Sequence, residues 1–371
     1  MATRRDLLAG AASVMFAAPL LPRAARAADP VLKVPHPTIG VVVPQLLIEF
    51  WNDYLAFMKL GAKQLGVNLI VVDAQNSPER MIRSIQDLAA RKVDGIIFTA
   101  YWSVGTRGLS IAKDAGIPVA ITDTHPDYPP QTARFPNYIS FVGPSDEDMG
   151  ASIGKALIDA TPAGPDGKKR IGIVNGTAGT SVAVNRRKGF AALLKQHPEV
   201  IVEGEVNGDF ERETALAAFQ SFYIGHSDIR GVWVASGGMA SGVMTALRNR
   251  GKIPGKDVVV VCIDLETGNR KALKDGELLF DMGGHWLSGG FALLALYDAI
   301  EGHTLPANVA DFHMKMLPLT KSHVADFEKD FPNNLPDYDF KANSLTWNPN
   351  AKPGVFQVPN VEFFRSKILG S

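Results

Sequence analysis

From Thr38 onward, short apolar runs alternate with stretches whose apolar residues recur at helical spacing, and this alternation restricts the fold more than any other feature of the chain. Residues 39–43 are apolar throughout, as a strand covered on both faces must be. Residues 49–65 follow with Phe50, Tyr54, Phe57, Met58 and Leu65 at helical spacing. Residues 68–73 read as the next strand. Ser77 and Pro78 then open a helix, a hydroxyl cap followed by proline in the first turn, with Ile82, Ile85 and Leu88 facing inward. A helix at 104–115 separates strands at 95–99 and 117–122. The rhythm resumes with strands at 139–142, 170–175, 201–206, 231–234, 258–263 and 278–282, and helices between them up to Glu301. Such alternation builds parallel sheets through right-handed crossovers. Pro- and Gly-rich breaks near 136–144 and 163–167 divide the units between two sheets. The expected fold class is α/β, with two doubly wound parallel-sheet lobes.

A length of 371 residues suits two lobes of middling size. Lys plus Arg and Asp plus Glu both number 38, so there is no basic excess to neutralise phosphates, and nucleic acid is not an expected partner. Cys262 is the single cysteine, so no intrachain disulfide can form, and its apolar neighbours make it a core residue. Residues 1–27 read as a cleavable signal peptide: Arg4-Arg5, a modest apolar stretch from Leu7 to Leu21, and Ala25-Arg26-Ala27 at the cleavage position. The paired arginines point to the twin-arginine route, with the general secretory route as the alternative. Either route leads out of the cytoplasm, and in a Gram-negative cell to the periplasm. Pro19 and Pro22 end the apolar stretch too early for a retained anchor.

In open α/β sheets, ligands bind beyond the carboxyl ends of the strands. The residues that follow each strand carry a resemblance. Val41-Val42-Val43 with Phe50-Trp51, the turn Asp73-Ala74-Gln75-Asn76-Ser77-Pro78, and Ile117-Pro118-Val119 leading to Asp123 come first. Gly176-Thr177-Ala178-Gly179 with Arg186, Gly189 and Phe190, then Asp209-Phe210, the strand ending at Asp264, and Lys274-Asp275-Gly276-Glu277 follow in order. This series resembles the ribose-binding class of periplasmic binding proteins, the extracytoplasmic sugar receptors of ABC transporters, over roughly residues 38–305. The resemblance implies a three-strand hinge between the lobes. It places residues 38–142 plus 285–316 in the N-terminal lobe, 144–283 in the C-terminal lobe, and 317–371 in a tail crossing both. It also implies capture of a sugar, polyol or related small polar ligand by lobe closure, and delivery to an ABC permease. A periplasmic sensor presenting its ligand to a sensor kinase or chemoreceptor is the alternative.

The resemblance implies ligand-binding roles for Phe50, Trp51, Asp123, Arg186, Phe210, Ser236 and Asp264, with Tyr101, Trp102, Thr124 and His285 as further candidates. Rings suit the C–H faces of a sugar, carboxylates accept from its hydroxyls, and a guanidinium donates in a fixed fork. Read without the resemblance, Phe50 and Trp51 are core residues at a helix start, and Asp123 and Asp264 helix-cap or turn residues. The chain departs from the family pattern at Ile48, Thr124, Ser236-Gly237 and Gly284, where polar groups that meet the sugar are common. These changes imply a site with more room and more apolar surface, near Trp286 as well. No dinucleotide fingerprint, phosphate loop, nucleophile elbow or His-Glu-x-x-His pair occurs, so neither an enzyme, a cofactor nor a metal site is expected. A monomer is expected, meeting the membrane only through its permease.

Overall fold

The computed structural model describes residues 29–354 and 356–370, and the signal peptide read at 1–27 lies outside them. The first sheet contains β1 (Thr38–Val43), β2 (Asn68–Asp73), β3 (Gly95–Thr99), β4 (Val119–Thr122), β5 (Tyr138–Pro144) and β11 (Asp311–Met314), in the order β11-β5-β4-β3-β1-β2. Every pairing in it is parallel. The second contains β6 (Lys169–Asn175), β7 (Val200–Asn207), β8 (Gly231–Val234), β9 (Val259–Ile263), β10 (Phe280–Gly283) and β12 (Leu317–Leu319), in the order β12-β10-β9-β8-β6-β7. Only β12 runs antiparallel to its neighbour, β10. Both sheets therefore repeat one doubly wound order, and each reverses direction beside its first strand, between β1 and β3 or between β6 and β8. A crevice opens at the carboxyl ends of the strands at such a reversal.

The first sheet is covered by α1 (Glu49–Leu65), α2 (Pro78–Ala90), α3 (Gly105–Asp114), α9 (Ser288–Ile300) and the short α10 (Ala307–Ala310). The second is covered by α4 (Asp146–Ala160), α5 (Ser181–Leu194), α6 (Arg212–Gly225), α7 (Gly237–Asn249) and α8 (Thr267–Asp275). The chain crosses between sheets three times: from β5 into α4, from β10 into α9, and from β11 into β12. The Ser77 hydroxyl accepts from the Arg80 N–H at 3.3 Å, so the cap read from the sequence is present. β4 starts at Val119, two residues later than expected, because Pro118 has no N–H for the ladder. β11 and β12 escape sequence reading. They are four and three residues long, and β12 holds Pro318, which only an edge strand tolerates.

The closest packing joins α4 to α5. A Cβ on Gly150 would stand 1.8 Å from the Arg186 carbonyl oxygen, and one on Gly189 would stand 2.0 Å from that of Glu147. The two backbones touch, which only glycine permits. Phe190 lies over Gly154 and stacks on Trp233 at 5.5 Å, and Trp233 Nε1 donates to the Gly150 carbonyl at 3.1 Å. This crossing sets the position of Arg186, one turn before Phe190 on α5.

The tail includes α11 (Val324–Asp330), α12 (Phe340–Asn343) and α13 (Val361–Ile368). Phe340 packs over Gly61 of α1 and Gly290 of α9. Asp298 of α9, buried in the first lobe, accepts from the Ser344 hydroxyl, the Leu345 and Thr346 N–H groups and the Thr346 hydroxyl. Four donors satisfy the one buried carboxylate, which is what its burial requires. On the other side, α13 packs on β12, and Arg365 donates to Asp148 of α4 at 2.8 Å. Tail residues thus contact both sheet layers. Among the described residues no helix is long and apolar enough to cross a membrane.

Candidate ligand-binding site

The strand ends of both sheets face one cavity of about 240 Å³. The first sheet contributes Pro44, Gln45, Ile48, Glu49, Phe50 and Trp51 after β1, and Tyr101 after β3. The second contributes Thr177 and Arg186 after β6, Asp209 to Arg212 after β7, Ser236 and Gly238 after β8, and Asp264 and Glu266 after β9. His285 enters from the second crossing. Several of these chain turns take left-handed backbone angles unusual for side-chain-bearing residues: Asp209 (φ 52°), Phe210 (φ 57°) and Asp264 (φ 123°). Such conformations cost of order 1–3 kcal/mol each and gather at binding sites.

Aromatic rings line one side. Phe50 meets Trp51 edge-on at 4.9 Å and lies tilted on His285 at 4.6 Å, and Trp51 meets Tyr101 edge-on at 6.3 Å. Phe210 comes from the opposite lobe, 6.4 Å from Tyr101. A Cβ on Gly176 would fall 2.0 Å from the Phe210 ring, so the missing side chain is what lets that ring lie flat beside the cavity.

Arg186 is the polar centre and only 2% exposed. Its Nε donates to Asp146 Oδ1 at 2.9 Å, Nη1 to the Ala235 carbonyl at 2.6 Å, and Nη2 to His285 Nε2 at 3.2 Å. Asp264 Oδ1 lies 3.9 Å from Nη1 and 3.3 Å from His285 Nε2, while its Oδ2 accepts from the Gly237 N–H at 2.9 Å. His285 Nε2 thus lies between a guanidinium donor and a carboxylate acceptor, and its Nδ1 is buried with no partner among the described residues.

Burial dominates the acid–base behaviour of the site. It pushes the Asp146 carboxyl up to about 7 against the pull of Arg186. It also raises Asp123, against His285 and Arg186, and lifts Glu266 to about 9 with Asp264 and Glu49 adding repulsion. Beneath Asp264, burial and then the Asp264 charge push Asp281 up to about 7. A carboxyl with a raised folded-state pKa binds more protons folded than unfolded, so its contribution weakens as pH climbs from the unfolded value of 3.8 to about 7. Urea unfolding should therefore show stability falling by a few kcal/mol between about pH 4 and pH 7. Asp281→Asn should reduce that slope, leaving the part supplied by Asp146 and Glu266, and an unchanged slope would mean that Asp281 ionises as freely folded as unfolded.

The structure brings Phe50, Trp51, Tyr101, Arg186, Phe210, Ser236, Asp264 and His285 to the cavity and leaves three candidates out of its wall. Trp102 meets Tyr101 edge-on at 5.5 Å and packs on the core beneath β3 and α2, because its own φ of 52° turns the chain there. Thr124 sits in a separate recess beside His125 and Ser181, its hydroxyl 3.4 Å from Asp123. Asp123 is buried near Arg186 and His285 without lining the cavity. Two further expectations are corrected. Trp286 faces the tail, donating to the Asn334 carbonyl at 2.9 Å between Phe327 and Phe331. The space over Gly284 is taken by Val358 of the tail, 3.1 Å from where a Cβ would be, so it does not enlarge the site. Sequence reasoning misses Gln45, Glu49, Glu211 and Glu266. Each lies within four residues of a strand end or of a ring already singled out, and that proximity is the available signal.

Gln45 and Glu49 also bridge the lobes. Gln45 Nε2 donates to Glu211 Oε1 at 2.6 Å, and the Thr267 N–H and hydroxyl both donate to Glu49 Oε1 at 2.8 and 2.6 Å. The two halves are joined directly across the cavity mouth.

Known proteins share this architecture. The chain is 32% identical to the ribose import binding protein of Salmonella typhimurium over 65% of its length and 77% of that protein. It is 29% identical to the galactofuranose-binding protein of Escherichia coli over 59% of its length and 68% of that protein. A periplasmic sugar-binding protein from Pseudomonas fluorescens superposes with a TM-score of 0.76 at 25% identity, covering 87% of this chain and 97% of that one. The periplasmic binding protein domain matches residues 39–300, and on that match, with these relatives, the chain belongs to the sugar-binding periplasmic proteins of ABC transporters, a family of solute binders rather than catalysts.

Proposed function

We propose that this protein captures a single sugar or polyol by closing two lobes over it and hands it to an ABC permease. The observation that carries this reading is the makeup of the cavity: rings on the walls, and carboxylate, guanidinium and imidazole groups at the base. Phe50, Trp51, Tyr101 and Phe210 suit the C–H faces of a sugar ring. Asp264 and Ser236 suit its hydroxyls, as do the two N–H groups of Arg186 left free by its internal bonds. In this reading residues 38–142 plus 285–316 and residues 144–283 move as rigid halves about the three crossings, with the segment at 1–27 directing export. Contacts such as Gln45 to Glu211 exist only when the halves meet. A ligand touching both therefore shifts the population toward the closed form, the form a permease recognises. The names of the relatives support a sugar as cargo, including a galactofuranose binder.

A thermal-shift screen of the mature protein tests the reading against pentoses and hexoses in furanose and pyranose forms, polyols, sugar acids and nucleosides. A true ligand at a thousand times its Kd stabilises the fold by about 4 kcal/mol. A flat response across sugars and polyols would overturn the proposal. For the ligand found, Asp264→Asn should weaken binding about 10- to 100-fold in calorimetry, since a charged acceptor is lost. Asn keeps the size and tolerates the positive φ, so the fold should survive. Unchanged affinity would remove Asp264 from the site.

A further inference from the structure

A second polar cluster lies outside the sugar cavity, beside the third crossing. His125, on the loop after β4, meets Asp311 and His313 of β11. His125 Nε2 is 3.1 Å from Asp311 Oδ1, and His313 Nε2 is 3.2 Å from the same oxygen. Three ligand atoms around a cation at about 2.1 Å are separated by about 3.4 Å in a tetrahedron, so these spacings need only minor adjustment. Asp311 and His313 share a face because they are two apart on a strand, and β11 pairs with β5 next to the loop that supplies His125.

The surroundings match what metal-binding histidines require. His125 Nδ1 donates to the Pro126 carbonyl at 2.5 Å, and His313 Nδ1 faces the Pro144 carbonyl at 3.4 Å. A carbonyl only accepts, so in both rings the hydrogen stays on Nδ1 and Nε2 is turned toward Asp311. That is the usual arrangement of a ligating histidine held by an outer partner. Phe141 lies beneath both rings, at 4.5 Å from His125 and 5.2 Å from His313. Asp146, Glu147 and Asp148 line the same recess, paired with Arg186, Lys188 and Arg365 respectively. The side chains are 24%, 34% and 48% exposed, so the position opposite them is open to water.

We propose that His125, Asp311 and His313 form a site for a divalent transition-metal cation, with zinc as its first probe. Two imidazole nitrogens and one carboxylate oxygen with an open fourth position are a zinc-type donor set, unlike the all-oxygen sets of calcium or magnesium. The bound ion would tie the loop after β4 to β11. The proposal does not depend on which solute fills the sugar cavity.

The test uses the mature protein freed of metal with a chelator and then titrated with ZnCl₂ in a calorimeter. Uptake of one ion per chain is expected. His313→Ala and Asp311→Asn should each weaken it by at least about 100-fold, while His36→Ala, elsewhere on the surface, should leave it unchanged. Thermal melts of the metal-free variants check that they fold. Independently of any variant, crystals grown with zinc should show an anomalous peak at the zinc edge within bonding distance of both Nε2 atoms. No stoichiometric uptake, uptake indifferent to His313→Ala, or a peak elsewhere would overturn the site and leave the sugar reading untouched.

Discussion

Arg186→Met should lower the stability of the protein by about 3–5 kcal/mol and abolish solute binding. The guanidinium is almost wholly buried and stands among Asp146, Asp264 and Asp123. Burial works against its charge, and the three carboxylates more than offset that, holding its pKa above the ordinary arginine value. Removing it strands carboxylates in a place water cannot reach, which is the expensive way to break a buried pair. The sequence resemblance gives Arg186 a ligand-binding role only. The structure revises this, because three of its N–H groups bond to Asp146, Ala235 and His285 within the protein. Urea unfolding and calorimetric titration separate the two roles. The double variant Arg186→Met, Asp146→Asn should recover part of the stability, since one stranded charge is gone, but none of the binding. Wild-type stability in the single variant would contradict the buried ion cluster.

Gly150→Ala should destabilise by about 2 kcal/mol and weaken solute binding as well, though residue 150 lines no part of the cavity. Alanine is the better helix former by about 1 kcal/mol, so propensity alone predicts the opposite sign. Steric contact decides. The new Cβ would sit 1.8 Å from the Arg186 carbonyl oxygen and 2.6 Å from its carbonyl carbon, and a backbone cannot rotate aside as a side chain can. The α4–α5 crossing must open, carrying Arg186 with it. Gly268 in α8 is the control, since nothing lies within 4 Å of the place a methyl group would take there, and Gly268→Ala should be neutral or stabilise by about 0.5 kcal/mol. If both variants melt like the wild type, the α4–α5 contact is looser than these distances require.

The alternation of strands and helices is legible because each element's period is local: two residues for a strand, 3.6 for a helix. Ile39 to Val43, Val259 to Ile263 and the capped start at Ser77 each declare themselves within a few residues. The cavity is legible in outline for a related reason. In a parallel sheet the strand ends of one edge converge, so Phe50, Arg186, Phe210 and Asp264 can be singled out by position. Where the side chains point within that edge is not legible. Trp102 and Thr124 also follow strands, yet local backbone angles turn them into the core and into a separate recess. The tail is opaque because its order comes from partners far along the chain, such as Asp298 for residues 344–346 and Asp148 for Arg365.

The sequence by itself determined two doubly wound lobes and the set of segments from which a binding site is drawn, since periodicity and strand ends are properties of neighbouring residues. Tertiary structure alone decided that Arg186 anchors a buried charge cluster, that Val358 occupies the space above Gly284, and that His125 meets Asp311 and His313 across 186 and 188 positions of chain. Those outcomes depend on which backbones approach closely and which charges are shut away from water, and both are fixed only when distant segments pack against each other.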